Sequence, residues 1–356
     1  VLIHTIFYRP LGVISDLPRI LHNGSQNLEA VGMTTDVPIT DDNASIVSIG
    51  TRQQAVLPMY DLVIHATVES LIALVITGGN SIVLVSILLH GSLRTVNNMF
   101  VTSLAIADLI MGVIVSPLRI YMVYLKPIIY GELTQSRLTC QFRLFFQNIS
   151  FGVSLYSLCG IALDRYIAIV HPLKYKNILT HRRAGRSIVC IWIYIILLSA
   201  VPFLVKDSVS FEDGDTCLLN QVVKPLFFTF AKVHVFLAIF LTVTAHTIVA
   251  VIAARTNAKI KAELVSFNNN IAVAHRNESR IAKAMISVVG VFLICWLPQT
   301  IASFIKLENE PAWYKSLYCY LIALLVANSG MNPWIYAIKL KRMREAMKNV
   351  VQCGRP

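Results

Sequence analysis

The sequence predicts an all-α membrane protein, a seven-transmembrane helix bundle with its N-terminus outside the cell and its C-terminus inside. Hydrophobic residues make up 56% of the 356 residues and charged residues only 14%, which is more apolar than a water-soluble chain of this length. The apolar residues also form seven long runs. Each run is close to the roughly 20 helical residues that cross a hydrocarbon core about 30 Å thick.

The seven runs define the predicted helices in order. They cover residues 66–89, 99–125, 140–170, 187–204, 223–254, 279–305 and 313–338. Strands that cross a membrane would be about 10 residues long with alternating polarity, whereas these runs are longer and uniformly apolar. The chain therefore divides into a flexible extracellular segment (1–65), the helix bundle (66–338) and a cytoplasmic segment (339–356). The last begins as a short, basic, amphipathic helix and ends in a tail.

The net charge of +12 follows from membrane topology rather than from nucleic-acid binding. Of the 31 Lys and Arg residues, 18 lie on one side of the membrane, in the connections after the first, third and fifth runs, at the start of the sixth run, and behind the seventh. By the positive-inside rule this face is cytoplasmic. We predict a multi-pass protein of the plasma membrane that has the lipid bilayer as a partner and binds no nucleic acid.

Several residues predict covalent modification. Cys140 and Cys217 fall at or beyond the outer membrane surface, where thiols oxidise, and are predicted to join the third helix to the loop before the fifth. Asn23 and Asn43 begin extracellular acceptor sequons and are predicted to be glycosylated. Cys353 follows the basic cytoplasmic segment, which favours palmitoylation or, alternatively, an ordinary exposed thiol.

Polar side chains inside the runs indicate internal sites, because an ionisable group in hydrocarbon costs at least about 2.5 kcal/mol. Asp108 lies in the middle of the second run. Four polar residues lie at similar depth in the third and seventh runs, namely Ser154, Asn328, Ser329 and Asn332. The five are predicted to form a hydrated cluster whose oxygen atoms suit a sodium ion. The alternative is a structural hydrogen-bond network between helices.

Interior prolines predict bends, because each removes a backbone hydrogen bond. They are Pro117, Pro202, Pro298 and Pro333. Trp296 stands two residues before Pro298 and so places a bulky side chain at a predicted hinge. Such an aromatic residue is also common as simple packing.

An arginine lies at the cytoplasmic end of the third run, in the sequence Asp164-Arg165-Tyr166. Glu278 opens the sixth helix on the same side of the membrane. Arg165 is predicted to pair with Asp164 or with Glu278, which would hold the two helix ends together. The alternative is an arginine that extends to the lipid headgroups.

Taken in order, these motifs resemble the rhodopsin-like family of G protein-coupled receptors over about residues 66–350. The matching residues are Asn80, Asp108, Cys140, Asp164-Arg165-Tyr166, Trp192, Phe292, Cys295-Trp296-Leu297-Pro298 and Asn332-Pro333-Trp334-Ile335-Tyr336. Each motif alone is weak, but the complete set on seven helices is specific.

The resemblance implies that helix rearrangement transmits extracellular ligand binding to a heterotrimeric G protein. It implies that Asp108 and its four polar neighbours hold a sodium ion as an allosteric modulator, with no other cofactor, and that Arg165 engages the G protein. The residues that it assigns to coupling and activation are Asp164, Arg165, Tyr166, Glu278, Trp296, Pro298, Asn332, Pro333 and Tyr336.

The fifth helix departs from the family pattern in two places. Ala238 stands where the family usually has proline, and His246 where it commonly has a tyrosine that steadies the active state. His246 would make signalling sensitive to pH, or it is a neutral buried histidine.

The ligand is constrained by what the outer half of the bundle contains. Gln147 occupies the position where receptors for cationic amines carry an aspartate, and Val326 the position of the retinal-binding lysine. Amines and retinal are therefore disfavoured. Basic and neutral polar residues are present instead, at Arg119, Arg143, Gln147, Lys232, His234, Gln299 and Lys306.

Such residues favour a carboxylate, a phosphate or an acidic peptide. The predicted ligand-binding residues are Arg119, Arg143, Gln147, His234, Trp296 and Gln299. The alternative is that Arg119, Arg143 and Lys306 extend to the outer headgroups.

Two other functions fit less well. A secondary transporter would use Asp108 in a substrate path, but it tends to have paired repeats, which this sequence lacks. A nonsignalling decoy receptor is not excluded by sequence. The chain has no phosphate loop, no HExxH pair and no nucleophile elbow, so we predict that it is not an enzyme.

Overall fold

The computed structural model describes residues 57–131, 136–171, 173–204, 217, 224–263, 287, 290–305 and 311–352. Within these ranges all regular secondary structure is helical. Six helices are long and apolar enough to cross a membrane, and a seventh apolar helix is described over a shorter stretch. The prediction of a helix bundle is confirmed.

The membrane helices are numbered in chain order, and α8 is the cytoplasmic helix that follows them. Their bounds are α1 Met59–Leu89, α2 Val96–Tyr130, α3 Arg137–Val170, α4 His181–Leu204, α5 Pro225–Glu263, α6 Gly290–Ala302, α7 Ala312–Lys339 and α8 Lys341–Val351. A single helical turn, Tyr175–Ile178, lies in the connection between α3 and α4.

Several helices extend beyond the predicted runs, because hydropathy marks only the part of a helix in hydrocarbon. Helix α1 begins at Met59, so residues 59–65 of the predicted extracellular segment are already helical. Helix α5 continues to Glu263, nine residues beyond the predicted end at 254. Helix α7 includes Lys339, so the cytoplasmic helix begins at Lys341. Asn23, Asn43 and Cys353 lie outside the described residues.

Helix α2 contains two π-helical turns, Met111–Val115 and Tyr121–Leu125. A π turn takes in an extra residue and so rotates everything beyond it about the helix axis. In a regular α-helix, side chains five residues apart point about 140° away from each other. In α2, however, Arg119 Nη2 donates to Tyr124 Oη at 3.0 Å. The π turns therefore determine which outer side chains of α2 face the bundle.

Close helix packing depends on small residues, as is usual where lipid rather than water surrounds the helices. Gly160 of α3 lies against the Phe100 ring of α2, and a Cβ atom at Gly160 would overlap that ring. Phe100 is itself buried in the main apolar core. The α2–α3 contact therefore leaves no room for a side chain at position 160.

We predict that Gly160→Ala lowers the free energy of unfolding by about 1–3 kcal/mol, since the added methyl overpacks a buried contact. The measurement is thermal unfolding of the protein in detergent micelles. Gly78→Ala is the matched control, because a Cβ atom at Gly78 in α1 meets nothing within 4 Å. Equal melting temperatures for the two variants would contradict the packing argument.

Candidate functional site

The middle of the bundle contains a buried polar cluster around Asp108, whose exposed fraction is 0%. Ser154 Oγ donates to Asp108 Oδ1 at 3.1 Å, and Asn332 Nδ2 donates to Asp108 Oδ2 at 2.9 Å. Ser329 also hydrogen-bonds to the carboxyl group. The cluster therefore joins α2, α3 and α7. Asn80 extends it to α1 by donating to the Ser329 carbonyl oxygen at 2.9 Å.

Four of the five predicted cluster residues are thus brought together, and their chemistry fits a sodium ion. The donors are a carboxylate, two hydroxyl groups and the amide of Asn332, which are the oxygen ligands that hard cations prefer. Asn328 is buried nearby in α7, but none of the hydrogen bonds between described residues joins it to Asp108.

Trp296 lies at the base of the outer half of the bundle. Its ring stacks on Phe292 at 5.0 Å between centroids and meets the edge of Phe151 at 5.0 Å. The indole Nε1 is buried and has no hydrogen-bond partner among the residues that the structure describes. Trp296 is therefore held by ring contacts with α3 and α6 rather than by a polar anchor, and Pro298 follows it within α6.

At the cytoplasmic end of α3, Arg165 folds back onto its neighbour. Arg165 Nε donates to Asp164 Oδ2 at 2.8 Å, and Arg165 Nη2 forms an ion pair with the same oxygen. Both side chains are buried, so Arg165 does not extend to the headgroups. Of the two carboxylates that the sequence offered, Asp164 pairs with Arg165, while Glu278 lies outside the described residues.

Tyr175 adds a contact that the sequence did not indicate. Its hydroxyl donates to Asp164 Oδ1 at 2.7 Å from the helical turn between α3 and α4. Tyr166 is directed outward and is partly exposed. Tyr336 of α7 is buried, and its hydroxyl bonds to none of the described residues. Arg165 is thus bound to Asp164 within α3, and Tyr175 binds the same carboxylate from the following turn.

The predicted disulfide between Cys140 and Cys217 is present, with a Cα–Cα distance of 5.6 Å. The disulfide places Cys217 beside Arg143, which lies one turn after Cys140 in α3. Arg143 Nη2 donates to the Cys217 carbonyl oxygen at 2.8 Å, and Arg143 Nη1 donates to Gln147 Oε1 at 3.0 Å. Arg143 and Gln147, both predicted to bind ligand, therefore form one unit on α3.

Arg119, another predicted ligand-binding residue, is already paired. Arg119 Nη1 lies 2.7 Å from Glu69 Oε1 of α1, and Tyr124 Oη donates to the same oxygen at 2.7 Å. All three side chains are buried, so neither Arg119 nor Arg143 extends to the outer headgroups. Glu69 was missed, although a carboxylate inside an apolar run is itself a signal that a partner exists.

Other predicted ligand-binding residues lie elsewhere. His234 of α5 contacts Tyr156 of α3 and Tyr194 of α4, at 3.1 Å and 3.3 Å from its two ring nitrogens. Gln299 Nε2 donates to Tyr318 Oη between α6 and α7 at 3.2 Å. These contacts do not link the two residues to Arg143. Lys306 lies outside the described residues.

His246 is buried in α5, and its Nε2–H donates to the Leu158 carbonyl oxygen of α3 at 3.2 Å. Within the described part of the chain, its Nδ1 has no hydrogen-bond partner. Helix α5 is unbroken from Pro225 to Glu263. This is consistent with Ala238, since a proline at that position would remove a backbone hydrogen bond.

Comparison with known proteins gives consistent matches across the bundle. The family model described as "7 transmembrane receptor (rhodopsin family)" matches residues 79–336. The adenosine receptor A2a of Canis lupus familiaris is 27% identical over 307 residues, 81% of this chain and 72% of that receptor. The substance-P receptor of Aquarana catesbeiana is 28% identical over 335 residues, which are 89% of this chain and 78% of that receptor. The galanin receptor 2b of Danio rerio is 28% identical over 302 residues, which are 82% of this chain and 75% of that receptor.

We predict that Glu69→Met or Arg119→Met alone costs about 3–5 kcal/mol of stability, because each leaves a buried charge without its partner. The double variant should lose less than either single variant. Thermal unfolding in detergent measures the coupling between the two positions.

The exposed pair between Lys341 and Glu345 in α8 is the matched control, with side chains 75% and 59% exposed. Its coupling should stay below about 1 kcal/mol. Additive losses at Glu69 and Arg119 would show that the buried ion pair does not stabilise the bundle.

Proposed function

This chain belongs to the 7 transmembrane receptor (rhodopsin family), and from that membership we propose how it signals. It is a multi-pass receptor of the plasma membrane and not an enzyme. The helices exchange between an inactive and an active arrangement. An extracellular ligand and a cytoplasmic heterotrimeric G protein both bind the active arrangement more tightly. Each therefore promotes the binding of the other.

The observation that carries this proposal is the buried contact between Arg165 and Asp164. In this arrangement the guanidinium is bound to Asp164 of the same helix. Signalling requires that the Arg165 side chain leave Asp164 and turn toward the cytoplasmic face. Tyr175 supports the resting arrangement, because it donates to the other oxygen of the same carboxylate.

Trp296 is proposed to connect the ligand to this change. It contacts Phe151 of α3 and Phe292 of α6, so a ligand that displaces its ring pushes on both helices. Pro298 weakens the backbone of α6 close to the same point. Movement of α6 relative to α3 then opens the cytoplasmic side beside Arg165.

A sodium ion is proposed to bind at Asp108, with Ser154, Ser329 and Asn332 as its other candidate ligands. The bound cation would compensate a carboxylate that lies entirely inside the membrane. Asp108 and its hydrogen-bond donors set the relative rotation of α2, α3 and α7, whichever arrangement the receptor adopts.

The ligand is proposed to be acidic, either a small molecule or a peptide. The support for this class is Arg143, a buried guanidinium whose acceptors are neutral oxygen atoms. Relatives named for adenosine, substance P and galanin differ in ligand chemistry. The proposal therefore rests on this chain's own side chains.

Asp164→Asn should raise basal G protein activation by at least about tenfold, since a charge-assisted hydrogen bond worth about 1.5–3 kcal/mol no longer holds Arg165. Tyr175→Phe should raise it less, and Arg165→Ala should abolish it. The measurement is nucleotide exchange on G protein added to membranes with equal receptor amounts. Basal activity unchanged by Asp164→Asn would contradict a restraining role for Asp164.

A panel of amines, carboxylates, phosphorylated metabolites and peptides should give activation by acidic compounds. Arg143→Gln should reduce their potency at least about tenfold through loss of the charged donor. Activation by amines instead would sink the acidic-ligand proposal but keep the receptor mechanism. Silence at confirmed surface expression, even for Asp164→Asn, would favour a decoy receptor and would call for vesicle uptake assays for transport.

A further inference from the structure

Three polar side chains from different helices meet where α4 and α5 face lipid. His234 of α5 lies between two tyrosine hydroxyl groups. Its Nε2 is 3.1 Å from Tyr156 Oη of α3, and its Nδ1 is 3.3 Å from Tyr194 Oη of α4. The two tyrosines also hydrogen-bond to each other, with ring centroids 5.9 Å apart. Among the described residues, these three side chains, here called the Tyr–His–Tyr cluster, hydrogen-bond only to one another.

The cluster borders an apolar surface that faces lipid. Tyr194 is 44% exposed, and His234 is half-buried. Their neighbours on the same helix faces are exposed and apolar. Leu197 lies one turn after Tyr194, and Phe230 and Leu237 lie one turn before and one turn after His234. The cluster is therefore a polar point in this surface, which we call the α4–α5 surface.

The position along each helix places the cluster near the middle of the bilayer. Tyr194 lies about 12 Å along α4 from the exposed Arg186 of the cytoplasmic end, and about 15 Å from the outer end of α4 at Leu204. His234 lies about 14 Å from the start of α5 at Pro225. Half of a hydrocarbon core is about 15 Å thick. Lipid headgroups therefore do not reach the cluster, whereas the distal half of an acyl chain does.

The cluster uses its own hydrogen-bond donors and leaves acceptors free. A neutral imidazole has one N–H and one acceptor nitrogen, so one tyrosine accepts from the ring of His234 and the other donates to it. The tyrosine that accepts donates its own O–H to the second tyrosine, which closes the cluster. Each phenol oxygen then keeps an unused lone pair. The hydrocarbon chains of ordinary lipids offer it no donor.

A hydroxyl group in the distal half of an acyl chain has the complementary requirement. Near the midplane of the bilayer it meets no water and no headgroup, so its O–H lacks an acceptor. A hydrogen bond from this hydroxyl group to a phenol oxygen of the cluster satisfies both groups at once. A polar group inside the membrane thus selects a ligand that is polar at the same depth.

We propose that the α4–α5 surface binds a phospholipid whose acyl chain carries a hydroxyl group in its distal half, and that this hydroxyl group donates to Tyr194 Oη. Tyr194 is the contact residue because it is the most exposed member of the cluster. Tyr156 and His234 position its phenol oxygen and take up its hydrogen, so that the oxygen accepts. The apolar residues of the surface contact the rest of the chain. Binding requires neither the G protein nor the extracellular ligand of the proposed function.

The experiment compares two phosphatidylcholines, with ricinoleoyl or with oleoyl chains, which differ by one hydroxyl group in the distal half of each chain. The purified full-length chain is placed in nanodiscs of oleoyl lipid that contain a rising fraction of ricinoleoyl lipid. Its melting temperature should rise saturably, because the ricinoleoyl lipid binds the folded chain. A melting temperature that does not change, or that changes without saturation, would overturn the proposal.

Tyr194→Phe removes the phenol oxygen and keeps the ring. The affinity for ricinoleoyl lipid should fall about five- to tenfold with the lost hydrogen bond. Tyr121→Phe is the matched control, because it removes the hydroxyl group of a 46% exposed tyrosine in α2, and it should leave the affinity unchanged. Equal affinities of Tyr194→Phe and the unsubstituted chain would refute the assignment to Tyr194.

A ketone in place of the lipid hydroxyl group tests the direction of the hydrogen bond. Oxidation of the ricinoleoyl hydroxyl group gives a carbonyl at the same carbon, which accepts a hydrogen bond but does not donate one. This lipid should give no saturable shift. A shift equal to that of ricinoleoyl lipid would contradict an acceptor at Tyr194. The comparison uses the unsubstituted chain, so it tests the proposal even if Tyr194→Phe does not fold.

Discussion

The hydrogen bonds that Asp108 accepts from Ser154 and Asn332 are the interaction on which the bundle depends. Inside hydrocarbon no water satisfies a buried polar group, so its partners must come from the protein. A carboxylate in α2 that takes its donors from α3 and α7 therefore fixes the rotation of three helices about their axes. That rotation decides which side chains face the ligand and which face lipid.

The same constraint acts at both ends of the bundle, with different results. At the outer end, Glu69 and Arg119 come from different helices, so their ion pair holds α1 against α2. At the cytoplasmic end, Asp164 and Arg165 are neighbours in the chain. Breaking their contact separates no helices. An adjacent pair therefore suits a contact that opens during signalling, whereas an interhelical pair suits one that stays closed.

A continuous apolar core lies between these polar sites. It contains Phe292 and Trp296 of α6 together with Leu158 of α3 and Tyr336 of α7. Because a close-packed core has few voids, displacement of one large side chain requires its neighbours to move. His246 contributes a polar tie to this region through the Leu158 carbonyl oxygen. In the proposed mechanism, this packing is the route by which an outer contact influences the cytoplasmic face.

The sequence by itself determined the seven spans, their orientation, the disulfide and the buried position of Asp108. The reason is that three constraints act on each segment separately: the thickness of the bilayer, the charge of the loops, and the free-energy cost of a polar group in hydrocarbon. Only the tertiary structure decided that Arg119 pairs with Glu69, that Arg143 has no acidic partner among the described residues, and that Tyr175 reaches Asp164. Hydropathy predicts how deep in the membrane a side chain lies. Which partner it meets depends on helix rotation, here altered by two π turns in α2, and rotation is set by packing between segments distant in sequence.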